Sequence, residues 1–171
     1  DYSSASGNNL GDANAPVKVV IFSNFYCSHC KAFAQEQEEQ IVNDYVKTGK
    51  VYLTEMAFTW TDPAYLAARA SYCASEQDKF WQYRDIVFAN VANTSLGTLD
   101  ENNLTKLAES IGLDTNQFST CLSSDKSSEM VDKDIAAAEK LGIQGTPSFV
   151  VNGTIVYSNT LVDEIESQLG N

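Results

Sequence analysis

The stretch Val17-Lys18-Val19-Val20-Ile21-Phe22-Ser23, followed by Asn24-Phe25-Tyr26 and then Cys27-Ser28-His29-Cys30, decides the fold. Its first part is a short β-branched run introduced by Ala15-Pro16, with the composition of a buried strand. From Ser28 to about Lys47 the period lengthens to that of a helix, with Cys30, Phe33, Ala34, Ile41, Val42 and Tyr45 on one stripe. Glu36, Glu38 and Glu39 fall largely off that stripe, and Gly49 reads as a stop. Val51 to Phe58 is strand-like again, so the order strand, helix, strand predicts a βαβ crossover with parallel pairing.

Working outward, residues 63 to 142 carry one helical pattern after another with no convincing strand. Leu66, Ala70 and Cys73 share a face, Phe80, Trp81, Ile86 and Val87 give bulk to a second helix, and Leu104, Leu107, Ala108 and Ile111 follow helical spacing. Asp114 with Gln117 suits a capping box for a short helix bearing Phe118, Cys121 and Leu122, and Met130, Ile135, Ala138 and Leu141 mark the last helix before Gly142. The chain then returns to β: Ser148 to Val151, the Asn152-Gly153 turn and Thr154 to Tyr157 read as a hairpin, with Thr160 placed to cap a final helix. The expected fold class is α/β, with an inserted all-helical lobe over 63–142 and a sheet domain from 13–62 and 143–171. Residues 1–12 are small, polar and aperiodic, and read as a flexible tail.

A chain of 171 residues fits one domain with an insertion. Hydrophobic residues at 43% and the lack of any long apolar run argue for a globular fold without a membrane span. Eleven Lys and Arg against 23 Asp and Glu give a formal charge of -12, which repels a phosphate backbone, so no nucleic acid partner is expected. A single histidine, His29, excludes sites that need several imidazoles. Asn93-Thr-Ser, Asn103-Leu-Thr and Asn152-Gly-Thr match a glycosylation sequon, a weak signal.

Cys27 stands where a buried strand hands over to a helix, among backbone N–H groups that lack intrahelical partners. Those donors and a neighbouring imidazolium favour the thiolate, lowering a thiol pKa from about 8.5 to roughly 3.5–7.5. Stabilising the reduced form makes the disulfide a stronger oxidant, by about 30 mV per 1.4 kcal/mol. Cys27 caps the exposed tip and is expected to attack; Cys30, one turn in on the apolar stripe, is expected to resolve. A zinc half-site fits poorly, because Cys73 and Cys121 are unpaired and far apart and His29 lies inside the first pair, so no metal is expected. A merely structural Cys27–Cys30 bridge would not need the strand-to-helix position. Phe25, Tyr26, Phe58 and Trp60 cluster at the carboxyl ends of two strands, where they either line a substrate groove or pack in the core; for Phe58 the core is favoured.

The strand–Cys27-x-x-Cys30–helix unit together with Gly145-Thr146-Pro147 before a late strand resembles the thioredoxin superfamily, and the helical lobe with Cys73-Ala-Ser-Glu-Gln-Asp-Lys-Phe-Trp81 resembles its DsbA-like branch. The resemblance implies a thioredoxin-like fold, a cis Pro147 beside the cysteine pair, and docking of an extended substrate through the Thr146 backbone. It implies a dithiol oxidase that introduces disulfides into exported proteins through Cys27 and Cys30, with His29 tuning them and with Ser28, Phe25, Tyr26 and Trp60 as candidate substrate contacts. It further implies unfolded or reduced protein substrates, a membrane reoxidase partner, an extracytoplasmic site of action (periplasmic, secreted or held on the outer face of a membrane) and a monomer; no motif suggests a flavin or quinone, so no cofactor is expected. Two departures stand out: Ser28 replaces a proline frequent in relatives, and Ile21 replaces a buried acid that could move the proton of Cys30. Cys73 and Cys121 are expected to form a structural disulfide, the alternatives being two buried free thiols or a second relay pair. The rival functions are a reductase or isomerase of the same family and a redox-idle peptide-binding or chaperone module.

Overall fold

The computed structural model describes residues 1–92 and 95–171; Asn93 and Thr94, which open the first sequon, lie outside them. Strands β1 (Ala5–Ser6), β2 (Asn9–Leu10), β3 (Val17–Ser23), β4 (Val51–Ala57), β5 (Ser148–Val151) and β6 (Thr154–Val156) form a single sheet in the order β1-β2-β4-β3-β5-β6. β3 and β4 run parallel, from Val17 opposite Val51 to Ser23 opposite Ala57, and the other pairs are antiparallel. The parallel pair is central, and one face of each strand is buried: Val17, Val19, Ile21 and Ser23 of β3 and Val51, Leu53 and Glu55 of β4.

The helix after the cysteines alternates α and π geometry: α1 (Ser28–Ala32), a π segment (Phe33–Gln37), α2 (Glu38–Ile41) and a second π segment (Val42–Val46). Each π turn inserts a residue and rotates the next stretch of helix, so a stripe extrapolated at a constant period drifts. Glu38, placed off the apolar stripe by its spacing, is turned into the interior and buried. Helices α3 (Asp62–Ser75), α4 (Phe80–Asn90), α5 (Glu101–Ser110), α6 (Thr115–Leu122) and α7 (Asp125–Lys140) lie between β4 and β5, and α8 (Leu161–Gln168) ends the chain. Caps help define the lobe: the Asp100 carboxylate accepts from the Asn103 N–H, and that of Asp114 from the Gln117 N–H. Thr160 makes no such bond; its hydroxyl instead faces the backbone of Tyr157.

Residues 1–12 are not a loose tail. β1 and β2 form a small hairpin that extends the sheet, pairing Leu10 with Leu53; Leu10 is buried and the Trp81 indole donates to the Asn9 carbonyl at 3.1 Å. Tyr2 stacks on Trp81 with ring centroids 5.8 Å apart. Strands of two residues are too short to show alternation, so their order comes from contacts with the lobe. Gly11, at φ +104, passes so close to Val51 that a Cβ would lie 2.8 Å from its carbonyl oxygen.

The lobe has its own apolar cluster, including Ala70, Cys73, Tyr83, Val87, Leu104, Phe118 and Cys121, and this cluster runs on to Phe25 and Cys30. Cys73 in α3 and Cys121 in α6 are joined by a disulfide with Cα atoms 5.6 Å apart. The cysteine pair thus sits on the seam between sheet and lobe.

Candidate active site

β3 ends at Ser23, and the chain turns at Asn24, whose carbonyl accepts from the Cys27 N–H at 3.0 Å. That turn presents Cys27 as the extended N-cap of α1, at φ -90 and ψ 117, while Cys30 is drawn inside. Both thiols are free: Cys27 is half-buried and Cys30 is buried. Across from them the Thr146-Pro147 bond is cis, and the Cys27 sulfur lies 3.3 Å from the Thr146 carbonyl oxygen. Thr146 is half-buried and Pro147 buried at the start of β5.

The two sulfurs differ electrostatically. Burial pushes the Cys27 thiol up, but hydrogen bonding with Thr146, Cys30 and the His29 backbone outweighs it and leaves the thiol below its ordinary value. Burial pushes the Cys30 thiol up to about 12, against hydrogen bonds from Thr146, the Asn24 backbone and Ser23; the charge of Cys27 adds to the rise. The pair therefore stores its negative charge on Cys27 and its proton on Cys30.

Of the candidate contacts, Ser28 and His29 are exposed beside Cys27, and the contribution of His29 is made through its backbone. Tyr26 is 42% and Trp60 62% exposed, whereas Phe25 is 6% exposed with its ring 4.9 Å from that of Phe88. Phe25 is therefore a core residue that forms only the floor of a shallow groove lined also by Tyr26, Cys27, Ser28, Lys31, Val91 and Ala92. Phe58 packs edge-on to Trp60 and against the sheet cluster of Phe22 and Val150. Among the described residues no cluster of His, Cys, Asp and Glu is arranged to hold a metal ion.

Sequence reasoning missed the buried charges. Arg84 of α4 donates from Nη1 and Nη2 to Glu38, both at 2.8 Å, and from Nε to Glu55 of β4 at 2.7 Å. The signal was present: Arg84 is the only cation in a helix dominated by bulky apolar residues, and Glu55 is the only acid in a largely apolar strand. Burial pushes Glu38 up to about 7, and Glu55 is raised for the same reason, in each case against Arg84. Asp134 of α7 likewise rises with burial to about 6, accepting from the Ala57 N–H and the Tyr72 hydroxyl.

A family model described as thioredoxin matches residues 3–171, so the chain belongs to the thioredoxin family. It is 32% identical over 152 residues to the probable disulfide bond formation protein D of Bacillus cereus, covering 85% of this chain and 70% of that protein. The disulfide bond formation protein D of Bacillus subtilis is 27% identical over 164 residues, covering 94% and 74%. The crystal structure of oxidised BdbD from Bacillus subtilis superposes with a TM-score of 0.87 at 25% identity, covering 97% of this chain and 94% of that one. DsbA of Chlamydia trachomatis shares the fold at a TM-score of 0.80 and 24% identity, covering 94% and 88%. Within its family the chain is a DsbA-like thiol–disulfide oxidoreductase.

Proposed function

We propose that the natural direction is oxidation: the chain donates the Cys27–Cys30 disulfide to reduced, extended protein segments. The observation that carries this reading is the split between the sulfurs, Cys27 lowered at an open tip and Cys30 raised in the interior. A substrate thiolate attacks the Cys27 sulfur of the disulfide; the S–S bond breaks, and Cys30 takes the electron pair and a proton. A second substrate thiolate then attacks the substrate sulfur of the mixed disulfide, and Cys27 leaves as the stabilised thiolate. The substrate loses two electrons and the enzyme gains them. A thiolate stabilised in the product makes this direction downhill.

The Thr146 carbonyl, 3.3 Å from the Cys27 sulfur, supports a role for the Thr146-Pro147 segment in docking an extended chain beside the nucleophile. Exposed Tyr26, Trp60 and Ser28 support a role in holding such a chain. By family, reoxidation falls to a membrane partner and the work is done outside the cytoplasm as a monomer. No helix among the described residues is long and apolar enough to cross a membrane.

The test is the equilibrium of the pair with glutathione. An oxidase predicts a potential more oxidising than about -200 mV; a value near -270 mV would place it with the reductases. Replacing Cys27 by Ala removes all turnover, whereas a redox-idle binding module would keep its activity.

A further inference from the structure

A small cavity of about 20 Å³ lies at the end of β3, lined on its polar side by Ser23, Asn24, Glu55, Thr59, Ser71 and Tyr72. That volume suits one water molecule, which needs two to four polar partners. The Thr59 hydroxyl oxygen, on a residue 7% exposed, has no hydrogen-bond partner within the described residues and belongs to this lining. The strand register explains how an acid reaches the same place. Ile21 is opposite Glu55 and Ser23 opposite Ala57, so Ser23 and Glu55 project from the same sheet face, one diagonal step apart. The Ser23 side chain acts on the Cys30 thiol, lowering it against burial, and Ile21 has no proton to offer.

We propose that Glu55 holds and returns the proton of Cys30, acting through Ser23 and a water seated against Thr59. The proposal rests on the oxidoreductase activity but not on its natural direction. When the reduced enzyme is oxidised, Cys27 has already attacked a disulfide and carries the mixed disulfide. The Cys30 thiol then passes its proton through Ser23 and the water to the Glu55 carboxylate, and the Cys30 thiolate attacks the Cys27 sulfur. The mixed S–S bond breaks and the departing thiolate takes the electron pair. In the opposite direction Glu55 gives the proton back as Cys30 leaves.

Several titratable groups face Glu55: Arg84 and Asp85 from α4, Glu38 from α2, the neutral Tyr72 phenol from α3 and Asp134 from α7. Burial raises the Glu55 carboxyl above its ordinary value while Arg84 opposes, which brings it closer to the pH at which it must exchange protons. Glu38 is the natural control, because it bears the same charge on the same guanidinium but does not line the cavity.

The experiment mixes reduced protein with oxidised glutathione and follows the release of the second glutathione across pH 5 to 9. In wild type this resolving step gains rate as Glu55 loses its proton. Glu55→Gln slows it by about a hundredfold at neutral pH and flattens that part of the profile. Glu38→Gln keeps the wild-type shape, and Thr59→Val, which leaves the ion cluster intact, reproduces part of the slowing. Equal profiles for Glu55→Gln and wild type would overturn the proposal, as would equal slowing by Glu55→Gln and Glu38→Gln. Because a rate is read, an oxidase reading that fails on its equilibrium potential leaves the role of Glu55 to be decided by these profiles alone.

Discussion

At the residue scale the chemistry depends on a difference between two cysteines three positions apart. In the reduced protein Cys27 should alkylate readily and Cys30 hardly at all until the fold is opened, which mass mapping after a brief iodoacetamide pulse would check. Glu38 gives a second residue-scale prediction, with a definite sign. Its folded pKa, about 7, lies above the unfolded carboxyl value, so the folded state binds more protons in between and loses stability as pH rises from about 4.5 to about 7. Glu38→Gln should flatten that decline in melting temperature; an unchanged slope would place the titration elsewhere. These roles were unequally legible. Cys27 and Cys30 announce themselves by spacing, whereas Glu38 hides because the intervening π turn breaks the period used to place it.

At the element scale, the strands and helices with long periodic faces were readable, including the parallel pair and the late hairpin. That hairpin turns through Asn152 at φ 46 and Gly153 at φ 91, the pair of positive values a tight two-residue turn requires. The N-terminal hairpin was not readable, since two-residue strands held by Trp81 and Leu53 carry no local signature. Deleting residues 1–11 should therefore lower the melting temperature and raise the exposure of Trp81, seen as a red-shifted emission. The disulfide between α3 and α6 closes a loop of 48 residues' separation. On the loop-entropy model it contributes about 4 kcal/mol, so the Cys73→Ala, Cys121→Ala double variant should melt earlier yet still exchange disulfides. Loss of exchange in a folded double variant would indicate a relay rather than a staple.

For the whole molecule, a buried guanidinium ties the lobe to the sheet, beside the Trp81 bond to Asn9 and the Asp134 bond to Ala57. Arg84 reaches from α4 to α2 and β4, and its plane lies over the Trp81 and Phe88 rings at 5.2 and 5.3 Å. Arg84→Leu leaves two buried carboxylates uncompensated and should cost about 3–5 kcal/mol in denaturant unfolding. Part of that loss should return on acidification, as the carboxylates take up protons. The charge of -12 acts at longer range: basic substrate proteins should be oxidised faster than acidic ones at low salt, with the gap closing as salt rises.

The most direct measurement is the rate of alkylation of Cys27 in the reduced protein as a function of pH. A thiol held as its anion by the first amides of its helix predicts a midpoint below the ordinary cysteine value of about 8.5. A midpoint at or above that value would contradict it.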